Sequence, residues 1–285
     1  MTDAQTPAPE PVPEPAPEPA RRAMPKGPLH SRASLVRDLG RLGIGAGDVV
    51  LLHVSMRGLG WVVGGAQSVI GAFLDVLGPK GTLCMPGHSA QLSDPGDWQN
   101  PPVPKAWHDV IRAEMPVFDP ETTPLYGIGA AADLFWRWPG TRRSHHPQVS
   151  MLARGHHAEQ ITQAHSLDHA FGPDAPLGRV HDLGGKAVLL GVGYRSCTTL
   201  HLVEYQVPRP TEAIALPIRI EDGRTQWVTT QEPETLHPRF EEIGQAFEAR
   251  HPIARGLHGA ARMIDMQVLV RFGISYVLRH PGDRP

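Results

Sequence analysis

His201 and Glu204 stand three residues apart at the end of the stretch Gly191-Val-Gly-Tyr-Arg-Ser-Cys-Thr-Thr-Leu-His-Leu-Val-Glu204. The pattern predicts a buried strand, a glycine turn and then a helix, and on a helix that spacing puts both side chains on one face. A carboxylate beside an imidazole fixes its tautomer and raises its basicity, which is a general-base dyad in outline. The same pair can also be a purely structural contact. Its place one turn into a helix that follows a core strand favours chemistry. Cys197 lies four residues before His201, near the predicted helix N-terminus, where a thiolate is stabilised. A covalent route through that thiol is therefore conceivable beside a small buried thiol with no role.

Two other clusters carry chemical potential. His53-Val-Ser-Met-Arg-Gly-Leu-Gly60 follows the largely apolar run Val49–Val54. That places it at the carboxyl end of a buried strand, where open α/β sheets bind ligands. Its glycines allow close backbone approach, and Arg57 could hold a phosphate bidentately. It is neither a P-loop nor a dinucleotide fingerprint. The second cluster is Arg142-Arg-Ser-His-His-Pro147, whose arginines and amides could take the phosphates of a nucleotide-like cofactor. Adjacent histidines rarely point to one place, and no HExxH accompanies them, so no metal is expected.

The elements that must position these residues can be read around them. Leu35, Val36, Leu39 and Leu42 recur at helical spacing, with Ser31 or Ser34 as cap. The strand Val49–Val54, a glycine-rich loop over 55–65, a helix carrying Val69–Leu77 and a strand over Thr82–Met85 make a β-loop-α-β unit. Residues 87–125 form a long polar insertion, expected to wall a pocket. Ala130–Trp136 reads as a short helix, Ala187–Val192 as a strand and Thr198–Val207 as a helix. Ile218–Glu221 and Gln226–Thr229 flank Asp222-Gly223, a hairpin signal. Helices over Pro238–Glu248 and Met266–Arg279 follow. The fold class is α/β, with a central mixed or parallel sheet flanked by helices.

Composition bounds the rest. The 285 residues carry 27 Lys+Arg against 29 Asp+Glu, a formal charge of -2, which argues against a nucleic-acid binder. No apolar run is long enough to span a membrane, so no membrane partner is expected. Two cysteines build neither a disulfide scaffold nor an all-cysteine zinc site, and the chain reads as soluble and cytoplasmic. Nine of the 30 prolines fall in residues 1–28, which read as a disordered Pro-rich leader ahead of a single domain over 29–285.

Taken in order, these motifs resemble the aminoglycoside 3-N-acetyltransferase family. The resemblance runs through His53–Arg57, Val62–Gly65, Gly78–Leu83, Phe118–Pro120 with Thr123-Pro124, and Arg143–Pro147 with Ser150. It continues through His169, Pro176–Arg179, Leu189–Gly193, the Thr198–His201–Glu204 motif and Phe272–Tyr276. It implies acetyl-CoA-dependent acetylation of the 3-amino group of an aminoglycoside, a resistance activity, on a family-specific fold that is not GNAT, and no metal. It carries His201 over as base, Glu204 as its support and His53 as a neighbour of the thioester. Ser55, Met56 and Arg57, with Arg143, Ser144 and His146, would hold CoA. Two departures are Cys197, where the family often has Asn or Ser, and Ala175, where it usually has Ser.

The chemistry fits these residues. A histidine suits a base acting on an amine near neutral pH. The oxyanion needs donors, for which amides of Ser55–Gly58 or Gly191–Gly193 are candidates. A polycationic acceptor calls for an acidic pocket, for which Asp94, Asp97 and Asp119 in or beside the insertion are the candidates. The assembly expected is a monomer or homodimer. Rival readings are an acyltransferase for another amine or hydroxyl, a non-catalytic CoA or nucleotide binder, and a histidine-rich metal protein.

Overall fold

The computed structural model describes residues 27–220 and 225–281. The expected leader therefore lies, up to residue 26, outside the described residues, as does the Asp222-Gly223 turn. The described strands are β1 (Leu29–His30), β2 (Val49–Val54), β3 (Trp61–Val62), β4 (Thr82–Pro86), β5 (Arg142–Arg143), β6 (Met151–Gly155), β7 (Lys186–Leu190), β8 (Thr211–Arg219), β9 (Thr225–Pro233), β10 (Ala254–Gly256) and β11 (Ala261–Asp265). The α-helices are α1 (Arg32–Arg41), α2 (Met56–Leu59), α3 (Gly65–Leu77), α4 (His108–Glu114), α5 (Ala130–Trp136), α6 (Ala158–Thr162), α7 (Pro176–Asp182), α8 (His201–Glu204), α9 (Phe240–Glu248) and α10 (Met266–Arg279).

Seven strands form one mixed sheet in the order β10-β11-β7-β2-β4-β6-β5. β2 pairs in parallel with β7 on one side and β4 on the other, and the outer strands run antiparallel. A strand in that position is buried on both faces, which is why Val49–Leu52 are apolar without alternation. Odd and even residues of β2 feed different cores. Leu51 packs with Leu200, Val203, Phe240 and the α10 face, whereas Val50 and Leu52 pack with Leu35, Ile70, Phe73 and Phe135 of α1, α3 and α5. The sheet is thus sandwiched between two helical layers, the mixed α/β architecture expected.

Local rules account for several boundaries. Ser31 caps α1 in a reciprocal capping box with Ser34. α3 stops at Gly78, whose φ of +62 suits glycine. The Asp265 carboxylate accepts from Val268 N at 2.9 Å and starts α10.

Other elements depart from expectation. The helix expected over Thr198–Val207 is a 3-10 turn, Thr198–Leu200, leading into the four-residue α8. The hairpin is longer than its central signal, because β8 and β9 pair along nine residues each. β6 and β11 escape sequence patterning: each is short and carries an arginine, Arg154 or Arg262. The insertion is mostly irregular, and it packs on the hairpin. Trp227 Nε1 donates to Arg112 O at 2.9 Å, and Thr225 Oγ1 to Met115 O at 3.0 Å. Among the described residues no helix is long and apolar enough to cross a membrane.

Candidate active site

The parallel strands deliver their loops to one end of the sheet. There the loop after β2 meets the turn after β7, backbone against backbone. A Cβ at Gly58 would lie 2.1 Å from Gly191 O, so only glycine permits this approach. Gly191 itself has φ +68. The wall thus formed borders a cleft of about 770 Å³, lined among others by His53, Arg57, His88, Arg195, Thr198 and His201. His201 also borders a second cavity of about 150 Å³, lined by Glu204, Tyr205, Glu212, Phe171 and Glu232. The imidazole is therefore shared by two adjoining spaces.

His201 and Glu204 open and close α8. Their side chains meet with Nδ1 to Oε2 at 2.9 Å. A carboxylate only accepts, so Nδ1 carries the hydrogen and Nε2 keeps its lone pair. The other carboxylate oxygen accepts from Leu236 N at 2.5 Å and Thr235 Oγ1 at 3.1 Å, from the segment that leaves β9. Phe171 stacks on the His201 ring at 4.3 Å and Phe240 meets it edge-on at 4.8 Å. Carboxylate and rings together hold the imidazole in one orientation.

Three further histidines line the cleft, and two of them, His53 and His88, have a buried, unpartnered Nε2. His53, near the end of β2, is buried, and burial, then His88 and His201, pushes its pKa down to about 3. His88, at the start of the insertion, is lowered to about 3 by burial, with smaller contributions from His201, His165 and Arg143. Both are neutral imidazoles in the working range.

The CoA-binding set divides. Ser55, Met56 and Arg57 line the cleft, with Ser55 Oγ capping α2 through Gly58 N at 3.2 Å. Arg195, missed from the sequence, joins exposed Arg57 there as a second cation. Arg143, Ser144 and His146 do not line this cleft. The buried Arg143 guanidinium donates to Thr123 O at 2.5 Å, Gly87 O at 2.8 Å and Ser150 Oγ at 2.8 Å, between the rings of Phe118 and Trp136. It ties the two ends of the insertion to the sheet. Ser144 is fully buried against His165 Nδ1 at 2.8 Å. His146 faces the smaller cavity, its Nδ1 accepting from Gln148 N and Val149 N.

The acidic set is likewise redistributed. Asp94 is bidentate to Arg112 at 2.7 and 2.8 Å, which holds its carboxyl below the usual range. Asp119 caps its own turn through Glu121 N and Thr122 N. Asp97 is exposed, and neither cavity includes any of the three. The carboxylates that do line the smaller cavity are Glu204, Glu212 and Glu232. Burial raises Glu212, and the nearby Glu234, Glu204, Asp97 and Glu232 raise it further. A two-residue turn at Asp222-Gly223 would set Glu212 opposite Pro233, whereas the observed register, one residue away, sets it opposite Glu232, so the acidic pair could not be read from the turn signal.

The two departures have structural places. Cys197 is buried outside both cavities, and burial pushes its thiol up to about 12, the opposite of an activated nucleophile. Ala175 is the N-cap of α7, ahead of Pro176, with no side-chain cap bond. The suggested backbone oxyanion donors are partly engaged too: Gly191 N donates to Ala260 O at 2.6 Å and Gly58 N to Ser55 Oγ. Among the described residues no group of three or more His, Cys, Asp or Glu is placed to hold a metal.

The strands and loops that frame both cavities fall within a match to the aminoglycoside 3-N-acetyltransferase family model over residues 51–277. The chain belongs to the aminoglycoside 3-N-acetyltransferase family. It is thus an acyltransferase, distinct in fold from GNAT enzymes. The SPbeta prophage-derived aminoglycoside N(3')-acetyltransferase-like protein YokD of Bacillus subtilis is 38% identical over 254 residues, 88% of this chain and 93% of its own. Its crystal structure superposes with a TM-score of 0.86 over 91% of this chain and 97% of that one. AAC-IIIb, solved as a binary complex with CoASH, is 28% identical with a TM-score of 0.78, covering 90% of this chain and 100% of its own. AAC-VIa bound to sisomicin is 30% identical with a TM-score of 0.76 and the same coverage.

Proposed function

We propose that this acetyltransferase-family chain moves the acetyl group of acetyl-CoA onto the 3-amino group of an aminoglycoside, by direct transfer in a ternary complex. The observation that carries this reading is the place of His201, on the boundary between a long cleft with two exposed arginines and a small cavity lined by three glutamates. The arginines suit the phosphates of CoA, and the glutamates suit a polycation. Relatives solved with CoASH and with sisomicin support both halves. His201 Nε2 takes the amine proton as nitrogen attacks the thioester, Glu204 holds the imidazolium that results, and His53 helps wall the acyl end. The reading is of a cytoplasmic resistance enzyme.

A smaller amine is a second acceptor class, favoured by one observation: the acidic cavity encloses only about 150 Å³, below the usual range for drug-sized ligands. CoA release from acetyl-CoA separates the two. Release with gentamicin, kanamycin, neomycin or apramycin supports the aminoglycoside. Release with the isolated aminocyclitol ring alone supports the smaller amine. His201→Ala should lower kcat by ~10²–10⁴-fold while calorimetry still shows CoA binding. Turnover near the wild-type rate in that variant would overturn the base assignment.

A further inference from the structure

Four histidines line the large cleft, and three have settled employment or a family counterpart. His201 is the base, His53 belongs to the first loop motif, and His237 Nε2 donates to Arg195 O at 3.0 Å. His88 remains. It enters from the strand next to His53, two residues beyond the end of β4. Its ring meets Phe171 edge-on at 5.8 Å, and Phe171 is the ring stacked on His201. His88 and His201 thus pack against the same phenyl ring and line the same cleft. Its Nε2 is buried and has no hydrogen-bond partner within the protein. A buried polar group without a partner costs stability, and its persistence at the cleft wall calls for a ligand acceptor. The torsion that aims an imidazole is broad, so the ring can turn onto such a ligand while keeping its packing.

We propose that His88 is a catalytic residue whose imidazole N–H donates to the thioester carbonyl oxygen as negative charge develops there. The inference rests on the acetyl-transfer reading above. The amine nitrogen bonds to the carbonyl carbon, and its proton passes to His201 Nε2. The carbonyl π pair moves onto oxygen, where the His88 N–H stabilises it. That pair then returns, the C–S bond breaks, and the CoA thiolate leaves and takes the proton from His201. A donor here complements the loop amides, two of which are engaged within the fold. Because burial keeps His88 neutral down to about pH 3, it neither competes with His201 for the proton nor titrates in the working range.

The test uses the full-length enzyme, His88→Phe and His88→Met, which fill the space without an N–H, and His88→Gln, which retains one. Two readouts are needed: antibiotic-dependent CoA release, and the isotope-edited infrared carbonyl band of bound acetyl-CoA labelled with carbon-13 at the carbonyl. His88→Phe and His88→Met should lose ~10²–10³-fold in kcat, with KM for acetyl-CoA within about threefold. The pH at half-maximal rate should not move, and His88→Gln should recover about tenfold or more of the loss. The carbonyl band should move to higher wavenumber in both apolar variants. Turnover of either folded apolar variant within about threefold of wild type, or an unmoved band, overturns the proposal. Should His88→Phe fail to fold, His88→Met carries the same prediction. If wild type releases no CoA with any aminoglycoside, the acceptor reading fails, and the infrared comparison still decides His88 because it needs acetyl-CoA alone.

Discussion

Glu212 and Glu232 are direct cross-strand partners on the β8–β9 hairpin, and both line the cavity that His201 borders. Like charges placed opposite one another on a hairpin destabilise it. Glu232 is anchored structurally: one carboxylate oxygen accepts from Ala170 N at 3.1 Å and the other from Tyr205 OH. Glu212 has burial and four carboxylates raising its pKa. A polycationic ligand seated there would relieve this repulsion.

Glu212→Gln should therefore raise KM for a polycationic acceptor by about tenfold at low salt, with kcat little changed, and the difference should shrink as ionic strength rises. The variant should be as stable as wild type or slightly more so, by ~0.2–1 kcal/mol. Steady-state kinetics at two salt concentrations and a thermal melt check both.

Arg143 is a structural cation. Arg143→Met should lower stability by ~2–4 kcal/mol, because Thr123 O, Gly87 O and Ser150 Oγ lose a shared, buried donor. KM for acetyl-CoA in the surviving folded enzyme should stay near wild type. Denaturant unfolding and a KM measurement decide. A large rise in KM without loss of stability would return Arg143 to the CoA site.

Four histidines drawn largely out of water make the fold sensitive to acid. Burial first, then neighbouring charges, lowers His53, His88 and His146 to about 3, while burial lowers His165 to about 4. In the unfolded chain each titrates near 6.5. Between these values the unfolded state binds protons that the native state refuses. Their contribution to stability is thus complete above pH ~6.5 and lost as pH falls towards 3–4, by up to about 1.4 kcal/mol per group per pH unit. Melting temperatures should drop steeply from pH 7 to pH 5, and His165→Asn should flatten that slope. A level profile would contradict neutral burial.

Cys197→Ser should turn over within about threefold of wild type, and mass spectrometry of enzyme incubated with acetyl-CoA should show no acetyl-cysteine. The reason is that burial disfavours the thiolate on which a covalent route depends. A dead variant with an acetylated wild type would reverse this conclusion.

The α/β class, β2 and the His201–Glu204 pair were legible in the chain because each is written in local spacing: a largely apolar run for a strand buried on both faces, and a three-residue step from imidazole to carboxylate. The family motifs were legible for the same reason. Only the tertiary structure decided what lies between distant segments. The role of Arg143 depends on carbonyls 20 and 56 residues away. The clamp on Glu204 comes from Leu236, 32 residues on. The acidic wall arises from hairpin register, where Glu212 meets Glu232 rather than where acids are dense in sequence, so Asp94 went instead to Arg112. A side chain's type sets what chemistry it can do. Its partners set what it does, and partners across the sheet follow from strand order and loop closure, neither of which is encoded at short range.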